Sequence, residues 1–456
     1  MLRARLVREQ RERSLNKGSL KVALRLSVEG LRSISIFGGC VVRGVSSGTK
    51  PVSVTSLFSW SRSKWMRCIE RLMVLGALCG SCLLLRPGLH GQSTNSGGME
   101  MATRDRMEQP GWWPTKGDPP RSSFAGTEKC AQCHLNVVRS QAATPMARAG
   151  YRARDAEILT RGTPLGYARA PYRYGISQTE SGVAYSVTDG GQGAAVPLEW
   201  AFGTGVVGQT YLYEQNGHWH ESQLSFFSNP AKLDITVGHS HLTPRNVDEA
   251  LGSAMTENEA QNCFGCHTTA STLERRFEPQ NAVPGVTCEG CHGPGAEHAS
   301  RQRSGTARRL GEGIVNPADL SPQNSVDYCG ACHRSYWDMV LSGLKNLGTK
   351  VVRFQPYRLE ESRCWGKSGD ERVTCIACHD PHQPLERNLA AYDKRCLSCH
   401  VNRGQVRSRN KPGAACPKSA NNCASCHMPK VAVPDTYAEF TDHFIRVVRD
   451  GKSFPE

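Results

Sequence analysis

The stretch from Cys263 to His427 repeats one short pattern six times, beginning with Cys263-Phe264-Gly265-Cys266-His267. The other five copies of this Cys-x-x-Cys-His pattern are Cys288-Glu289-Gly290-Cys291-His292, Cys329-Gly330-Ala331-Cys332-His333, Cys375-Ile376-Ala377-Cys378-His379, Cys396-Leu397-Ser398-Cys399-His400 and Cys423-Ala424-Ser425-Cys426-His427. A seventh copy lies upstream, at Cys130-Ala131-Gln132-Cys133-His134. We number these copies motif 1 to motif 7 in chain order, and seven copies in one chain exclude coincidence.

Each motif is typical of a c-type haem attachment site, in which two thiols bond to the haem vinyl groups and the next histidine coordinates the iron. The two intervening residues place the cysteines about one helical turn apart, which matches the two vinyl edges. We therefore predict seven covalently attached haem c groups, each held by the two cysteines and the histidine of one motif.

The composition favours a protein built around its cofactors. Only 38% of the 456 residues are hydrophobic and 7% are aromatic, so the haems must supply much of the apolar interior. We expect a mainly α fold with much irregular structure wrapped around covalent haems. A small antiparallel β insertion is predicted near residues 170–227, where short alternating segments are separated by turns.

The net charge of +15 does not indicate a nucleic-acid partner. Residues 1–86 carry 16 Lys and Arg against 4 Asp and Glu, which leaves only +3 for the remaining chain. Haem propionates would make that remainder more acidic still. Redox partner proteins are therefore expected, and nucleic acid is not.

Residues 1–92 form a basic leader that ends in an export signal. Arg67 and Arg71 precede an apolar run of 14 residues, Leu72 to Leu85, and small or polar residues follow. Fourteen residues are few for a bilayer crossing, so we favour a cleaved secretory signal, with an uncleaved anchor as the alternative. The predicted location is periplasmic or otherwise extracytoplasmic, and membrane association is expected only through the leader.

Three regions are predicted after the leader: a linker over residues 93–123, a first haem site with a β-hairpin module over 124–246, and a six-haem cytochrome domain over 247–456. In the hairpin, Asn216-Gly217 predicts a type I′ turn that sets Tyr213 opposite His220 and Tyr211 opposite Ser222. The sequence Gly203 to Gly208 spells GxGxxG, but a strand rather than a helix is expected after it. A dinucleotide site is therefore rejected.

Two cysteines after the leader lie outside the motifs. In an oxidising compartment Cys364 and Cys416 are expected to form a disulfide.

Each iron also needs a second axial ligand, and seven histidines remain outside the leader and the motifs: His218, His220, His239, His241, His298, His382 and His443. His298 and His382 follow motifs 3 and 5 too closely to reach round their own haem. Each is therefore expected to ligate a neighbouring haem, and His443 is expected to fold back as a third such ligand. In the upstream pairs His220 and His239 are favoured.

The haem at motif 1 has several candidate second axial ligands. Met146 follows His134 by 12 residues in a polar segment, so its thioether is a candidate ligand. Packing of Met146 in a core, ligation from the hairpin, and an open coordination position are the alternatives.

Several motifs together resemble a known family. Phe124-Ala125-Gly126-Thr127-Glu128-Lys129 precedes motif 1, Gly293-Pro294-Gly295-x-x-His298 follows motif 3, Asp380-Pro381-His382 follows motif 5, and Met428-Pro429 with Asp442-His443 follows motif 7. The set, spanning Phe124 to Arg446, resembles multihaem cytochromes c related to hydroxylamine oxidoreductase and its tetrahaem electron-acceptor cytochrome. The resemblance implies stacked haem pairs, electron transfer and an extracytoplasmic setting. It also implies a histidine where this chain has Met146.

Two functions follow from these observations. The first is an exported cytochrome that transfers electrons along a closely packed chain of seven haems. The alternative is a multihaem oxidoreductase that reduces or oxidises a small nitrogen or sulfur compound at an open-coordinate haem. Zinc ribbons would also use Cys-x-x-Cys pairs, but a histidine after every pair argues against them.

Covalent attachment gives the first prediction. A denaturing gel stained for haem is expected to show a stained band, and intact-mass spectrometry is expected to show about seven haem additions. Replacing both cysteines of one motif by alanine should remove one addition. A zinc protein would give no haem-stained band.

Overall fold

The computed structural model describes residues 119–448, except 242, 345, 363, 366–371, 401–415, 417 and 434–435. The predicted leader and export signal, and most of the predicted linker, lie outside the described residues. None of the helices in the described part of the chain has the length and apolar character needed to cross a bilayer.

A β module occupies the chain from Gly150 to Ala254 and contains ten strands. These are β1 (Gly150–Arg152), β2 (Leu165–Arg169), β3 (Tyr172–Thr179), β4 (Gly182–Thr188), β5 (Gly193–Pro197), β6 (Trp200–Phe202), β7 (Gln209–Gln215), β8 (His218–Ser228), β9 (Ala231–Ile235) and β10 (Gly252–Ala254). One antiparallel sheet has the order β1-β6-β7-β8-β10, with β9 also paired to β8, and a second has the order β2-β3-β4-β5.

Alternating burial explains why these segments form strands. Along β3 the side chains of Tyr172, Tyr174 and Ile176 are buried and the residues between them are more exposed, as a half-buried strand requires. They pack with Val183, Tyr185 and Val187 of β4, and with Tyr211 and Tyr213 of β7, into one core. The two sheets therefore share an apolar interior that is rich in tyrosine.

The β7–β8 hairpin confirms the predicted turn. Asn216 and Gly217 have φ angles of 54° and 75°, the left-handed values that a type I′ turn requires. Tyr213 pairs with His220 as predicted, but the register shifts between Thr210 and Leu212. Because of this irregularity Tyr211 donates its backbone N–H to the Ser222 hydroxyl instead of forming a regular pair. The segment from Gly203 to Gly208 is a loop between β6 and β7, as expected.

Short helices carry the motifs and the connections between them. The helices are α1 (Thr127–Ala142), α2 (Glu157–Thr160), α3 (Val247–Leu251), α4 (Glu257–His267), α5 (Cys288–His292), α6 (Ala296–Ser304), α7 (Pro322–His333), α8 (Tyr336–Leu341), α9 (Gln355–Glu360), α10 (Cys375–Cys378), α11 (Asp393–His400) and α12 (Cys423–His427). Three two-stranded pairs join Thr268–Thr269 to Val283–Pro284, Thr272–Leu273 to Arg276–Phe277, and Lys430–Ala432 to Glu439–Thr441. The 3₁₀ turns are Arg121–Ser123, Ala153–Asp155, Pro279–Asn281, Pro317–Asp319, Gly348–Val351 and Leu389–Tyr392.

The chain is therefore less helical than predicted. An antiparallel β insertion is present, but it begins at Gly150 and ends at Ala254, beyond the expected limits near 170 and 227. Helix α3 contributes Val247, Ala250 and Leu251 to its core, so the module continues past residue 246. The prediction underestimated it because the outermost strands, Gly150–Arg152 and Gly252–Ala254, are too short to show an alternating pattern.

The predicted disulfide is wrong. The described structure contains no disulfide between Cys364 and Cys416; the Cys364 side chain is half-buried and the Cys416 side chain is exposed. An even number of spare cysteines does not by itself place two of them within bonding distance.

Buried tyrosines in the β module give the second prediction. The Tyr211 hydroxyl is buried without a hydrogen-bond partner, whereas the Tyr172 hydroxyl donates to the Pro244 carbonyl at 3.3 Å. Because Tyr211→Phe removes an unsatisfied polar group, it should raise the free energy of unfolding by about 1 kcal/mol.

Thermal unfolding followed by circular dichroism measures the effect, with Tyr172→Phe as the matched control. That control loses a hydrogen bond and should lower the free energy of unfolding by about 1 kcal/mol. Equal destabilisation by the two variants would contradict the description of this core.

Candidate haem-attachment sites

Local helical structure presents the motif cysteines. In α1 the Cys130 and Cys133 side chains lie one turn apart, and the backbone departs from helical geometry at His134. Helices α4, α7, α11 and α12 each end at a motif histidine. A capping box formed by Thr256 and Glu259 begins α4. These helices give the spacing that two thioether bonds to one porphyrin require.

The motifs lie beside one another in space. The Cys130 side chain lies beside the Cys288 side chain, which brings motif 1 next to motif 3. Thiol contacts of the same kind join Cys329 to Cys375 and Cys396 to Cys423, so motif 4 lies beside motif 5 and motif 6 beside motif 7. The Cys266 sulfur lies 3.9 Å from the carbonyl oxygens of Ala331 and Cys332, which places motif 2 beside motif 4.

A buried carboxylate holds motif 1 against motif 3. Glu289, the second residue of motif 3, is 5% exposed. Its carboxylate accepts backbone N–H groups from Ala125 at 2.7 Å, Gly126 at 2.9 Å and Gly295 at 2.8 Å. One side chain therefore fixes the start of α1, the start of α6 and its own motif.

A similar carboxylate joins motifs 6 and 7. Asp393 begins α11, and its carboxylate accepts backbone N–H groups from Cys423 at 2.8 Å and Asn422 at 2.7 Å. These hydrogen bonds stabilise the charged form, so they lower the pKa of Asp393. The contact is therefore strongest when Asp393 is ionised, and it weakens as the pH falls through the lowered pKa.

Three pairs of histidine rings lie opposite one another. The centroids are 6.5 Å apart for His134 and His298, 5.9 Å for His292 and His382, and 6.2 Å for His379 and His443. The planes are inclined by 24°, 1° and 39°, respectively. Each pair combines a motif histidine with one of the three histidines predicted as second ligands, and the second ligand comes from the segment after a later motif.

This separation fits a haem iron between each pair. Two imidazoles on opposite sides of one metal ion, each with a metal–nitrogen bond of about 2.0 Å, have ring centroids roughly 6 Å apart. The residues of motifs 1, 3 and 5, with His298, His382 and His443, therefore suit bis-histidine haem.

Hydrogen bonds orient several of these rings. The Nδ1 atoms of five histidines lie 2.7–3.0 Å from backbone carbonyl oxygens: His267 with Ala149, His292 with Val315, His298 with Glu312, His427 with Arg446 and His443 with Thr441. A proton on Nδ1 donates to the carbonyl and leaves the Nε2 lone pair for a metal.

Burial favours the neutral form that a metal requires. Desolvation lowers the pKa values of His267, His292, His333 and His379. It also lowers the pKa of His443 to about 4. These imidazoles are therefore uncharged at neutral pH and do not need to lose a proton before they coordinate.

The other predicted ligands lie in different surroundings. The His220 ring stacks on Tyr213, with centroids 5.0 Å apart. The Nε2 atom of the buried His239 lies 3.1 Å from the Glu221 carboxylate, which would have to be released before His239 could bind iron.

Met146 is half-buried in a turn, and its carbonyl accepts the N–H groups of Ala149 and Val286. The ring that faces His134 belongs to His298. Coordination of a haem iron by His220, His239 or Met146 therefore stays a prediction.

Sequence reasoning missed the polar groups that hold the sites together. Glu289 was readable as an acidic residue inside a motif, but its three backbone partners are distant in sequence. The buried ion pair between Arg358 and Asp442 joins residues 84 positions apart, so no local pattern could indicate it.

The role of Glu289 gives the third prediction. Glu289→Ala leaves three buried or half-buried N–H groups without an acceptor, and it should lower the free energy of unfolding by about 3 kcal/mol. Thermal unfolding is the measurement. Glu214→Ala removes an exposed carboxylate from β7 and serves as the control, with an expected change within about 0.5 kcal/mol. Equal effects would show that Glu289 does not hold motifs 1 and 3 together.

Part of the chain matches a described protein family. Residues 218–293 match the family described as cytochrome c554 and c-prime. The high-molecular-weight cytochrome c of Nitratidesulfovibrio vulgaris is 26% identical over 202 residues, which are 42% of this chain and 30% of that protein. Cytochrome c-554 of Nitrosomonas europaea is 24% identical over 149 residues, which are 30% of this chain and 59% of that protein.

The matched regions span less than two thirds of the length of either relative. The crystal structure of the outer cell wall cytochrome OcwA aligns with 72% of this chain and 80% of its own, at 16% identity and a TM-score of 0.43, which is too low to establish a common fold. Together with the seven motifs, the family match and the two relatives show that this chain is similar to multihaem c-type cytochromes related to cytochrome c554.

Proposed function

We propose that this protein is an exported c-type cytochrome that transfers electrons along a closely packed chain of seven covalently attached haems. The facing pairs His134–His298, His292–His382 and His379–His443 are the observation that carries the proposal. An iron with a protein ligand on both sides has no free position for a substrate, and it suits electron transfer. When bound, each haem supplies an iron that accepts and releases one electron.

The shared ligands support an ordered array. Motif 1 takes its second histidine from the segment after motif 3, motif 3 from the segment after motif 5, and motif 5 from the segment after motif 7. Each of these three haems therefore receives its second axial ligand from the segment that follows another motif. Thiol contacts between motifs 1 and 3, 4 and 5, and 6 and 7 support close spacing between the haems.

The chain's own residues orient the coordinating rings and influence the haem potentials. Backbone carbonyls at Ala149, Val315, Glu312 and Thr441 set the orientation of the coordinating rings. Axial ligand identity and burial are the main influences that a protein has on haem potential, and bis-histidine ligation gives a lower potential than histidine–methionine ligation. We infer low potentials for the haems at motifs 1, 3 and 5.

Partners and location belong to the same proposal. An extracytoplasmic setting suits covalent attachment, because two thioether bonds prevent loss of the cofactor to the medium. The partners that we propose are redox proteins that deliver and accept single electrons. The multihaem relatives support this class of function.

The oxidoreductase alternative was based on uncertain ligation at motif 1, where Met146 stands in place of an expected histidine. The His298 ring opposite His134 argues against that alternative, because it offers motif 1 a pair of imidazoles like the pair at motif 3. The geometry therefore favours the carrier.

Removal of a second ligand gives the fourth prediction. His298→Ala should convert about one iron per chain from low spin to high spin, because the haem at motif 1 loses an axial ligand. Electron paramagnetic resonance on the oxidised protein measures the change, and carbon monoxide binding to the reduced protein checks it. His218→Ala removes an exposed histidine and should leave the spectrum unchanged.

Two results would contradict the proposal. An unchanged spin state in His298→Ala would show that His298 is not the ligand at motif 1. Rapid turnover of nitrite, hydroxylamine or tetrathionate by the wild-type protein would favour the oxidoreductase.

A further inference from the structure

His443 differs from the other two second ligands in how the chain holds it. His298 lies within α6, where helical hydrogen bonds fix its backbone. His382 lies in a turn that begins at Asp380, whose carboxylate accepts the His382 N–H at 2.9 Å. His443 lies in a segment without helix or strand, after Glu439–Thr441. Its position therefore depends on contacts with distant parts of the chain.

Arg358 supplies the strongest of these contacts. Its Nε donates to one oxygen of Asp442 at 2.9 Å, and its Nη2 donates to the other at 2.6 Å. The arginine side chain is 7% exposed and the aspartate side chain is 0% exposed. A paired fork of this kind fixes both distance and orientation, and it is strong because both partners are charged.

The same guanidinium also holds the residue on the other side of His443. The Arg358 Cζ atom lies 4.9 Å from the centroid of the Phe444 ring. A cation over an aromatic face at this distance is attracted to the ring. Arg358 therefore contacts both chain neighbours of His443 at once.

Ser362, one helical turn after Arg358, makes further contacts with the same segment, and we call Arg358 and Ser362 together the clamp. Its hydroxyl is fully buried, donates to the His443 carbonyl at 2.9 Å and accepts the Ile445 N–H at 2.8 Å. Side chains at 358 and 362 thus contact every residue from Asp442 to Ile445.

Helix α9, which carries Arg358, packs in a small apolar core. Tyr357, next to Arg358 in α9, is 2% exposed and packs with Met339 and Val351 in a small apolar core. Because α9 is anchored there, the Arg358 fork transmits a fixed position to Asp442 and His443.

We propose that Arg358 and Ser362 are positioning residues for His443: they hold its imidazole opposite His379 and so keep the iron at motif 5 six-coordinate. This inference rests on the proposed role of His443 as the second ligand at that motif. Neither residue touches the iron, and both act through the backbone and neighbours of His443.

Arg358→Leu tests the inference in the full haem-loaded protein. The variant should show about one high-spin ferric iron per chain by electron paramagnetic resonance, while intact mass shows no loss of covalent haem. Added imidazole should return that iron to low spin, since a free ligand can replace the displaced His443. Arg358→Lys keeps the charge but lacks the fork, and it should show a smaller high-spin fraction.

Two further variants separate the possible explanations. Arg245→Gln breaks an exposed ion pair with Glu249 and should leave every iron in its wild-type state. Ser362→Ala keeps the Arg358–Asp442 pair and should release part of the His443 population. It serves as the second test if Arg358→Leu does not accumulate with its haems.

His443→Ala distinguishes failure of this inference from failure of the proposed function. If His443→Ala produces no high-spin iron, the ligand assignment at motif 5 is wrong. If it does, and both Arg358→Leu and Ser362→Ala remain fully low-spin, the clamp is overturned and the ligand assignment stands. A high-spin iron that imidazole does not restore would also overturn it, because it would indicate general disruption.

Discussion

A c-type attachment motif provides a ligand on only one side of its iron, and the rest of the described structure depends on how the other side is filled. A histidine just after its own motif cannot reach round the ring. We propose that the chain takes the second imidazole from the segment after a later motif, because His298 lies opposite His134, His382 opposite His292 and His443 opposite His379. An iron bound by both histidines of a pair would hold two distant parts of the chain together, so axial ligation would stabilise the tertiary structure.

Among the described residues the apolar clusters outside the β module are small, and buried polar groups also hold the motifs in place. Glu289 ties motif 1 to motif 3 through three backbone N–H groups, Asp393 ties motif 6 to motif 7 through two, and Arg358 holds Asp442 beside His443. Charged groups with several good hydrogen bonds tolerate burial, whereas an unpaired charge does not. Removing one partner from such a site should therefore disturb the motif that it holds. The β module instead relies on packed tyrosine and aliphatic side chains between two sheets.

The parts predicted from sequence are those set by local chemistry. The attachment motifs, the Asn216-Gly217 turn and the pairing of Tyr213 with His220 follow from residues close together in the chain. His298 and His382 were predicted as second ligands because they follow their own motifs too closely, and His443 because it can fold back, but which iron each one would serve depends on folding. The extent of the β module, the absence of a disulfide between Cys364 and Cys416 in the described residues, and the Arg358–Asp442 pair depend on distant contacts that no local pattern records. His239 illustrates the same limit, since its contact with Glu221 comes from sheet geometry.

The central claim is that histidines from later segments complete the coordination at motifs 1, 3 and 5. Electron paramagnetic resonance on the oxidised wild-type protein, with each signal integrated against the total haem content, tests it most directly. The account predicts at least three low-spin irons with bis-histidine signatures per chain. Fewer than three such irons would contradict it, because at least one of the facing pairs would then not bind a common iron.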